Sequence, residues 1–480
     1  MIRANDAVLP KNARDAMHFA SAQPAPEGAP RMLLVTYHFP PDPIIGGLRW
    51  QEMTRYLTDR GWAVDVIARD FRDLERVDPA RLGRFTHSTR IFSAPDREPL
   101  PGRIHKTLWP MVQRLRSRGE SRPVDSSRAT VLSRDEVTTQ GGGRAMVRAY
   151  FAWLEFARPG NWARAAARLG ATLARHSHYD VVVSSGPPHM AHEAARRIAE
   201  HTSIPLVIDL RDPWSIQRRL PESLASPVWY RLADRYERLA VRDAALVVLN
   251  ADGCRDGMIA EYPEYAAKME VIRNGCDDMP LPATTRDGRF TIRFAGSIYS
   301  DRDPRLAFRA ASRVIAELGL APSQLAFEFV GDMGDMAVAE MAREEGVGDY
   351  VHLGGFLTRE AVLQFLAGAT MLLSLPMDEE DFSIPGKIYE YMRFEAWMLV
   401  LAHDGSATAR LLEGTDADVA DPSDVSAIAA VLRRRYEQFA SGQMPAPVRA
   451  DGRFDRVVQS QKLLDHLTAL RGDGHPPQNE

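Results

Sequence analysis

Apolar residues along this chain arrive in short unbroken runs, separated by longer stretches with a helical period. The run MLLVT at 32–36 is typical: too short for a helix and apolar on both faces, as a strand inside a parallel sheet must be. A loop over 37–47 follows, then a helix-like stretch over 48–60 stopped by Gly61, then a second apolar run over 63–68. This is a strand–loop–helix–strand unit whose first helix opens on the glycine pair Gly46-Gly47. The same grammar predicts strands at 181–184, 205–209, 244–249, 270–272, 291–295, 326–330, 350–353, 370–375 and 398–402. Helices are predicted between many of them, at 190–201, 305–318, 337–345, 359–367 and 386–394. Strand and helix alternating at this spacing define an α/β protein with parallel sheets covered on both faces.

Two breaks divide the pattern. Residues 279–290, MPLPATTRDGRF, combine prolines, threonines and glycine and read as a linker. The chain then falls into a flexible leader (1–30), an N-terminal Rossmann-like domain (31–282), a C-terminal one (283–445), and a helix and tail (446–480). The tail helix, expected over 453–470, could pack on either half. The second break, 96–149, is polar and irregular, with eleven Lys and Arg against six Asp and Glu, a local balance of +5. Within it Leu108, Trp109, Val112 and Leu115 line one side of a short basic helix over 104–118, either a solvated insertion or a contact with anionic lipid.

Composition narrows the function. The 480 residues carry 60 Lys and Arg against 64 Asp and Glu, a net charge of −4, which disfavours a chain-wide nucleic-acid footprint. Cys254 and Cys276 form no CxxC, which excludes a disulfide scaffold or a cysteine zinc site and suits a reducing compartment. No apolar run approaches the ~18–20 residues that span a bilayer, and the first residues lack the apolar core of a signal peptide, so a cytoplasmic location is expected. The P-loop, GxGxxG and GxSxG signatures are absent. His189 and His192 are spaced i, i+3 without an evident third ligand, and the DxD triplets at 301–303 and 416–418 lie late in the chain, so no metal cofactor is expected.

In a doubly wound fold, ligands sit outside the carboxyl ends of the strands. The predicted strand 291–295 ends in Gly296-Ser297, which permits close backbone approach, with Arg302 placed to meet an anion or to pair with Asp301 or Asp303. The strongest segment is 373–392, where a buried strand enters an acidic loop and Ser383-Ile-Pro-Gly386-Lys387 opens a helix. Free amides at a helix start and the Lys387 ammonium suit a diphosphate, and Glu390, at i+3, suits ribose hydroxyls. Alternatively Ser383 belongs to a helix cap and Glu390 pairs with Lys387 at the surface.

Six segments in order, LLVTYHFPPDPIIGGLRW, DVVVSSGPPHMAHEAARRIAEHTSIPLVIDLRDPWS, VIRNGCDD, FAGSIYSDRDP, VHLGGFLTREAVLQFLAGATMLLSLP and SIPGKIYEYM, resemble glycosyltransferase family 4. The resemblance covers roughly 31–470 apart from 96–149, and implies the GT-B fold: two Rossmann-like domains facing across a cleft. It also implies retaining, metal-independent transfer of a sugar from a UDP- or GDP-linked donor to a saccharide or lipid-linked acceptor, in surface polysaccharide or glycolipid synthesis. By motif position, Arg302 and Lys387 would hold the diphosphate with Gly296, Ser297, Ser383 and Gly386 around it, and Gly46 and Gly47 would cap it through their amides. Glu390 would take the ribose, and the main chain at Phe356 the base. His189 or Asp212 would position the acceptor, although His189 also reads as a helix-start residue and Asp209 and Asp212 as turn caps partnered by Arg211.

The chain departs from the family at three places. Phe382 stands where members carry the first of two glutamates, with Asp381 or Glu380 as substitutes after a loop shift. Ser185-Gly186 replace a histidine that His189 would supply, and Arg393–Trp397 replace small residues. Two alternatives stand beside transfer: a nucleotide-sugar epimerase on the same fold, against which the N-terminal half offers no clear carboxylate pair, and a catalytically degenerate sugar-nucleotide binder.

Overall fold

The computed structural model describes residues 9–74, 76–99, 102, 131–133, 143–212, 214–216, 219–221, 224–276, 280–298, 302–333, 337–376, 382–448 and 452–472. Among these, residues up to Ile272 and from Gln459 onward form one compact unit, and Arg273–Val458 a second. The strands are β1 (Met17–Ala20), β2 (Arg31–Thr36), β3 (Ala63–Arg69), β4 (Thr89–Ala94), β5 (Val131–Ser133), β6 (Val181–Gly186), β7 (Leu206–Leu210), β8 (Arg219–Pro221), β9 (Leu246–Leu249) and β10 (Met269–Val271). In the second unit they are β11 (Phe290–Ala295), β12 (Leu325–Val330), β13 (Val351–Leu353), β14 (Met371–Ser374), β15 (Trp397–Leu401) and β16 (Asp418–Ala420).

The first unit holds an eight-stranded sheet in the order β1-β4-β3-β2-β6-β7-β9-β10, the second a six-stranded one in the order β13-β12-β11-β14-β15-β16. Both wind outward in two directions from a central strand, β2 or β11. Every pair in the six-stranded sheet is parallel. The strand β2 runs parallel between β3 and β6, with Met32 opposite Val64 and Val181. Its five residues Met32–Thr36 are all buried, which is why the run lacks alternation. The two-domain parallel-sheet expectation therefore holds.

One edge corrects the sequence reading. The supposed leader contains a helix, Lys11–Ala16, and then β1, which pairs antiparallel with β4 through Met17–Phe92 and Ala20–Arg90. Phe19 lies edge-on to Phe85, and the His18 ring joins Ser93 Oγ at 2.8 Å. Four residues are too few for a periodic signal, but they cover an edge that would otherwise offer unpaired amides.

The break at 96–149 also ends sooner than expected, because the helix Gly143–Ala174 starts inside it and buries Trp162, Ala166 and Leu173 further along. The predicted basic helix at 104–118 lies outside the described residues. The C-terminal helix, Arg456–Gly472, belongs largely to the first unit, where Leu463 and Leu467 enter the core and Tyr56 Oη donates to Gln461 Oε1 at 2.6 Å. No helix among the described residues is long and apolar enough to cross a membrane.

A buried carboxylate ties the first unit together at the carboxyl ends of its strands. Asp209, fully buried in β7, accepts from Arg49 Nε at 3.1 Å, Trp50 Nε1 at 2.6 Å and Ser185 Oγ at 3.0 Å, while Arg49 Nη2 reaches its other oxygen at 3.0 Å. Arg49 also donates to the Ile272 carbonyl at 2.8 Å. One side chain thus sets the start of the helix Leu48–Thr58 against three strand ends. Asp209→Asn leaves the Arg49 charge without its counter-ion and should destabilise the protein by about 3–5 kcal/mol. Thermal unfolding checks this; a Tm within a degree of the wild type would contradict it.

Candidate functional site

In the second unit, three neighbouring strands finish in glycine. Gly296 follows β11, Gly331 follows β12, and Gly354-Gly355 follow β13. Their main chains interlock: Gly296 N–H donates to the Val330 carbonyl at 2.9 Å, Gly331 to Gly355 at 3.2 Å, and Gly354 to Phe329 at 2.7 Å. Gly296 has φ +137° and Gly331 φ +127°, conformations that side-chain-bearing residues rarely adopt. A Cβ on Gly331 would overlap the Gly296 carbonyl, and one on Gly296 would stand 3.1 Å from Lys387 Nζ. The glycines therefore let backbone and ammonium meet at the strand ends, where a doubly wound sheet takes its ligands.

Lys387 lies near the start of the helix Gly386–Tyr391, and its Nζ sits 3.8 Å from the centre of the Phe294 ring. The ring face offers a cation some compensation for lost water, but less than a carboxylate would. Burial, then the nearby Arg302 charge, pulls the Lys387 ammonium down to about 7, with Glu390 working the other way. The two cations expected to hold a diphosphate are thus close enough to feel each other. Arg302 does not rely on Asp303 for its place: its Nη1 donates to the Ser297 carbonyl at 3.1 Å, and Asp303 Oδ1 accepts instead from the Arg305 N–H at 2.8 Å. Tyr391 Oη accepts from the Ala295 N–H at 3.1 Å, fastening the helix to the end of β11.

Several alternatives resolve here. Glu390 pairs with Arg359 of the helix Arg359–Ala367, not with Lys387. Ser383 makes no cap: Pro385 holds that position, without a side-chain hydrogen bond. The helix is only six residues long, so the Lys387 side chain, more than a summed dipole, must supply the positive potential. Gly386 is exposed and Phe356 is 81% exposed, while Phe382 is buried and brings no carboxylate. Its proposed substitutes, Glu380 and Asp381, lie outside the described residues.

The first unit places its candidates at the ends of β2, β6 and β7. Arg211 is buried and donates to main-chain oxygens, to Gly186 at 3.0 Å, to Pro187 at 2.6 Å, and to Gly46. It is therefore not the partner of Asp209 or Asp212 that the motif suggested; it binds the Gly46 loop to the loop after β6. A Cβ on Gly46 would come within 3.0 Å of the Arg211 guanidinium, and one on Gly47 within 3.4 Å of the His38 carbonyl.

His189 is the residue before the helix Met190–Thr202 and lies flat against Trp214, ring centres 4.8 Å apart. His192 is buried, with Nδ1 2.9 Å from Ser184 Oγ, and burial lowers it to about 3, so it stays neutral. Glu237, also fully buried, accepts from the Ser215 N–H at 3.0 Å and Tyr262 Oη at 3.0 Å, holding the loop that follows Trp214. Asp212, two residues before Trp214, is exposed.

Three contributors escaped the sequence reading. Gly331 was signalled by its place after the apolar run FEFV, as Gly296 was after RFA. Phe294 gave no signal, since a strand phenylalanine reads as core. Arg359 looked like an ordinary first-turn residue.

Residues 127–279 match the model of Glycosyltransferase Family 4. A comparison with curated proteins found no match. Among solved structures, sucrose-phosphate synthase from Thermosynechococcus elongatus superposes with a TM-score of 0.55 at 12% identity, covering 92% of this chain and 99% of that one. The lipopolysaccharide outer core galactosyltransferase WaaB gives 0.52 at 12% identity, with 92% and 99% covered. HepE of Anabaena, in complex with UDP-glucose, gives 0.52 at 13%, again with 92% and 99% covered. Residues 127–279 are thus similar to glycosyltransferase family 4, and the two parallel-sheet units share the fold of GT-B structures, in keeping with the resemblance read from the motifs.

An ammonium that burial pulls down to about 7 burdens the fold. Lys387→Met should raise the Tm, by about 2–4 °C for each kcal/mol regained. The unfolded state holds the lysine proton up to about pH 10.4 and the native state only to about 7, so wild-type stability recovers as pH rises between them. The advantage of the variant should therefore be largest at or below pH 7 and shrink toward pH 10. Scanning calorimetry of both proteins across that range checks it; an advantage that grows with pH would contradict the burial.

Proposed function

We propose that this chain transfers a sugar from a UDP- or GDP-linked donor to an acceptor hydroxyl, with retention and without a metal ion, in surface polysaccharide or glycolipid synthesis. The observation that carries the reading is the Lys387 ammonium against Gly296 among the glycine-ended strands β11 to β13, near enough to Arg302 to feel its charge. Cleaving a glycosyl–phosphate bond leaves positive character at the anomeric carbon and negative charge on the departing diphosphate. Cations already in place lower that barrier without reorganising. A lysine poised near neutrality gains its full charge when the diphosphate arrives, so the anion itself completes the site.

In this reading Ser297 and Gly296 offer main chain to the phosphates, and Glu390, braced by Arg359, takes the ribose. The acceptor is taken by the first unit, at the strand ends that carry His189 and Asp212, and its proton passes to the leaving phosphate. The basic helix expected at 104–118 belongs to the same reading, as the contact with a membrane bearing a lipid-linked acceptor. HepE, of similar fold, is seen with UDP-glucose, which supports a nucleotide-sugar donor. Epimerisation fits less well, because the buried carboxylates Asp209 and Glu237 are already held by structural hydrogen bonds.

One observation favours a second reading, a binder that no longer turns over. Phe382, buried, stands where the family carries a glutamate. Incubation with UDP- and GDP-sugars separates the two: acceptor-dependent release of nucleotide supports transfer, and binding without release supports the binder. In the transferase, Lys387→Ala should lower kcat/KM by about 100-fold or more. Glu390→Gln should raise the donor KM several-fold with kcat little changed, as the loss of a ribose contact made equally in ground and transition states. Steady-state kinetics check both, and an unaltered kcat/KM in Lys387→Ala would remove the anion site.

A further inference from the structure

The helix Gly143–Ala174 has 32 residues and is roughly 48 Å long, whereas the six residues of β2 span roughly 20 Å. It therefore outruns the sheet it covers. Its last turn leads through residues 175–180 into the start of β6. Further back, Arg158 Nη2 donates to Asp96 Oδ2 at 2.8 Å, just past the end of β4. Trp162 lies edge-on to Tyr37, just past the end of β2, with ring centres 5.1 Å apart. Residues 158–162 are thus level with the carboxyl ends of the strands, and residues 143–157 run on beyond them for roughly 20 Å. This overhang stands beside the first unit's candidates: Phe156 stacks on Trp214 at 6.2 Å, and Trp214 on His189 at 4.8 Å.

Ala152 and Phe156 bury one face of the overhang. The opposite face is apolar too, and it lies in solvent. Met146 is 77% exposed, Val147 46% and Trp153 39%, with Tyr150 stacked on Trp153 at 6.4 Å. Met146, Tyr150 and Trp153 follow at steps of four and three, and the same spacing continues to Arg164 and Arg168, both exposed, without meeting an acid.

Resting on the lipid-linked acceptor of the reading above, we propose that this stripe seats the protein on an anionic membrane surface. The apolar end enters the acyl boundary and the two arginines meet lipid phosphates. Tyrosine and tryptophan suit that boundary, since each joins an apolar ring to a polar atom. The surface is separate from the basic segment at 104–118. A second copy of this chain fits the stripe less well, because its exposed apolar area is on the order of 300–400 Å², about half of what each partner of a stable dimer buries. Antiparallel pairing would also set Met146 against Arg168, and parallel pairing would set arginine on arginine. An acceptor anchored in the bilayer then presents its head group beside the strand ends that carry His189 and Asp212.

The test is flotation of the full chain with vesicles of phosphatidylcholine, alone or mixed with about one-third phosphatidylglycerol. The wild type should bind the anionic vesicles. Met146→Glu and Trp153→Glu should each weaken that binding by about tenfold or more, and Arg164→Gln combined with Arg168→Gln by about tenfold. Calorimetric titration with UDP should give every variant the wild-type affinity. All four side chains are exposed, so the variants should fold, and unchanged circular dichroism confirms it. A wild type that binds UDP but not anionic vesicles, or vesicle binding unmoved by both Met146→Glu and Trp153→Glu, would overturn the inference while leaving the donor reading in place. So would a dimer in analytical ultracentrifugation that Trp153→Glu dissociates, since the stripe would then belong to a second copy. A wild type that binds vesicles but neither UDP nor GDP would overturn the donor reading instead.

Discussion

An ammonium withdrawn from water loses its charge readily, and Lys387 rests on a phenylalanine ring with the Glu390 charge offsetting only part of the burial. Much of the second unit's local structure follows from that. The strand ending at Ala295 must pass into a residue without a side chain, because Gly296 is where the lysine tip lies. The next strand must do the same, since Gly331 backs directly onto the Gly296 carbonyl. Glu390, which would be the natural partner three residues on, is drawn away by Arg359. Arg302 adds a second positive charge rather than removing the first. Among the described residues, these groups gather two cations and open main chain at the carboxyl ends of the strands, where an anion would restore the Lys387 charge that burial lowers.

The first unit shows the opposite arrangement. Two of its buried acids are held by several donors: Asp209 by Arg49, Trp50 and Ser185, Glu237 by Ser215 and Tyr262. Arg211 spends its donors on carbonyl oxygens of two loops. These bonds fix loop positions at the strand ends, beside His189 and Asp212.

The sequence made the alternation of strand and helix legible because fully buried strands such as 32–36 and 371–374 leave unbroken apolar runs. Helix bounds at 305–318 and 359–367 were legible through their caps, Gly319 and Thr358. What escaped was set by tertiary context. The edge strand at 17–20 has no period to detect, and the long helix from 143 begins among the polar residues of the insertion. The structure puts Gly296 and Lys387 together at a strand end, as strand-end chemistry suggested, whereas the alternative pairing of Glu390 with Lys387 does not form. Helical spacing favours Lys387, but burial turns that lysine toward Phe294 and opens Glu390 to a helix distant in sequence. Arg211 was misread for a similar reason: adjacent acids in a motif suggest a partner, yet unsatisfied loop carbonyls compete for the same guanidinium.

Burial lowers the Lys387 ammonium, so that an anion bound beside it should draw a proton back. Titrating the protein with UDP or GDP at pH 7 in two buffers of different ionisation enthalpy measures the protons taken up on binding. Uptake of about half a proton per nucleotide, abolished in Lys387→Met, is the result this account predicts. Binding with no proton uptake, or with the same uptake in the variant, would contradict it.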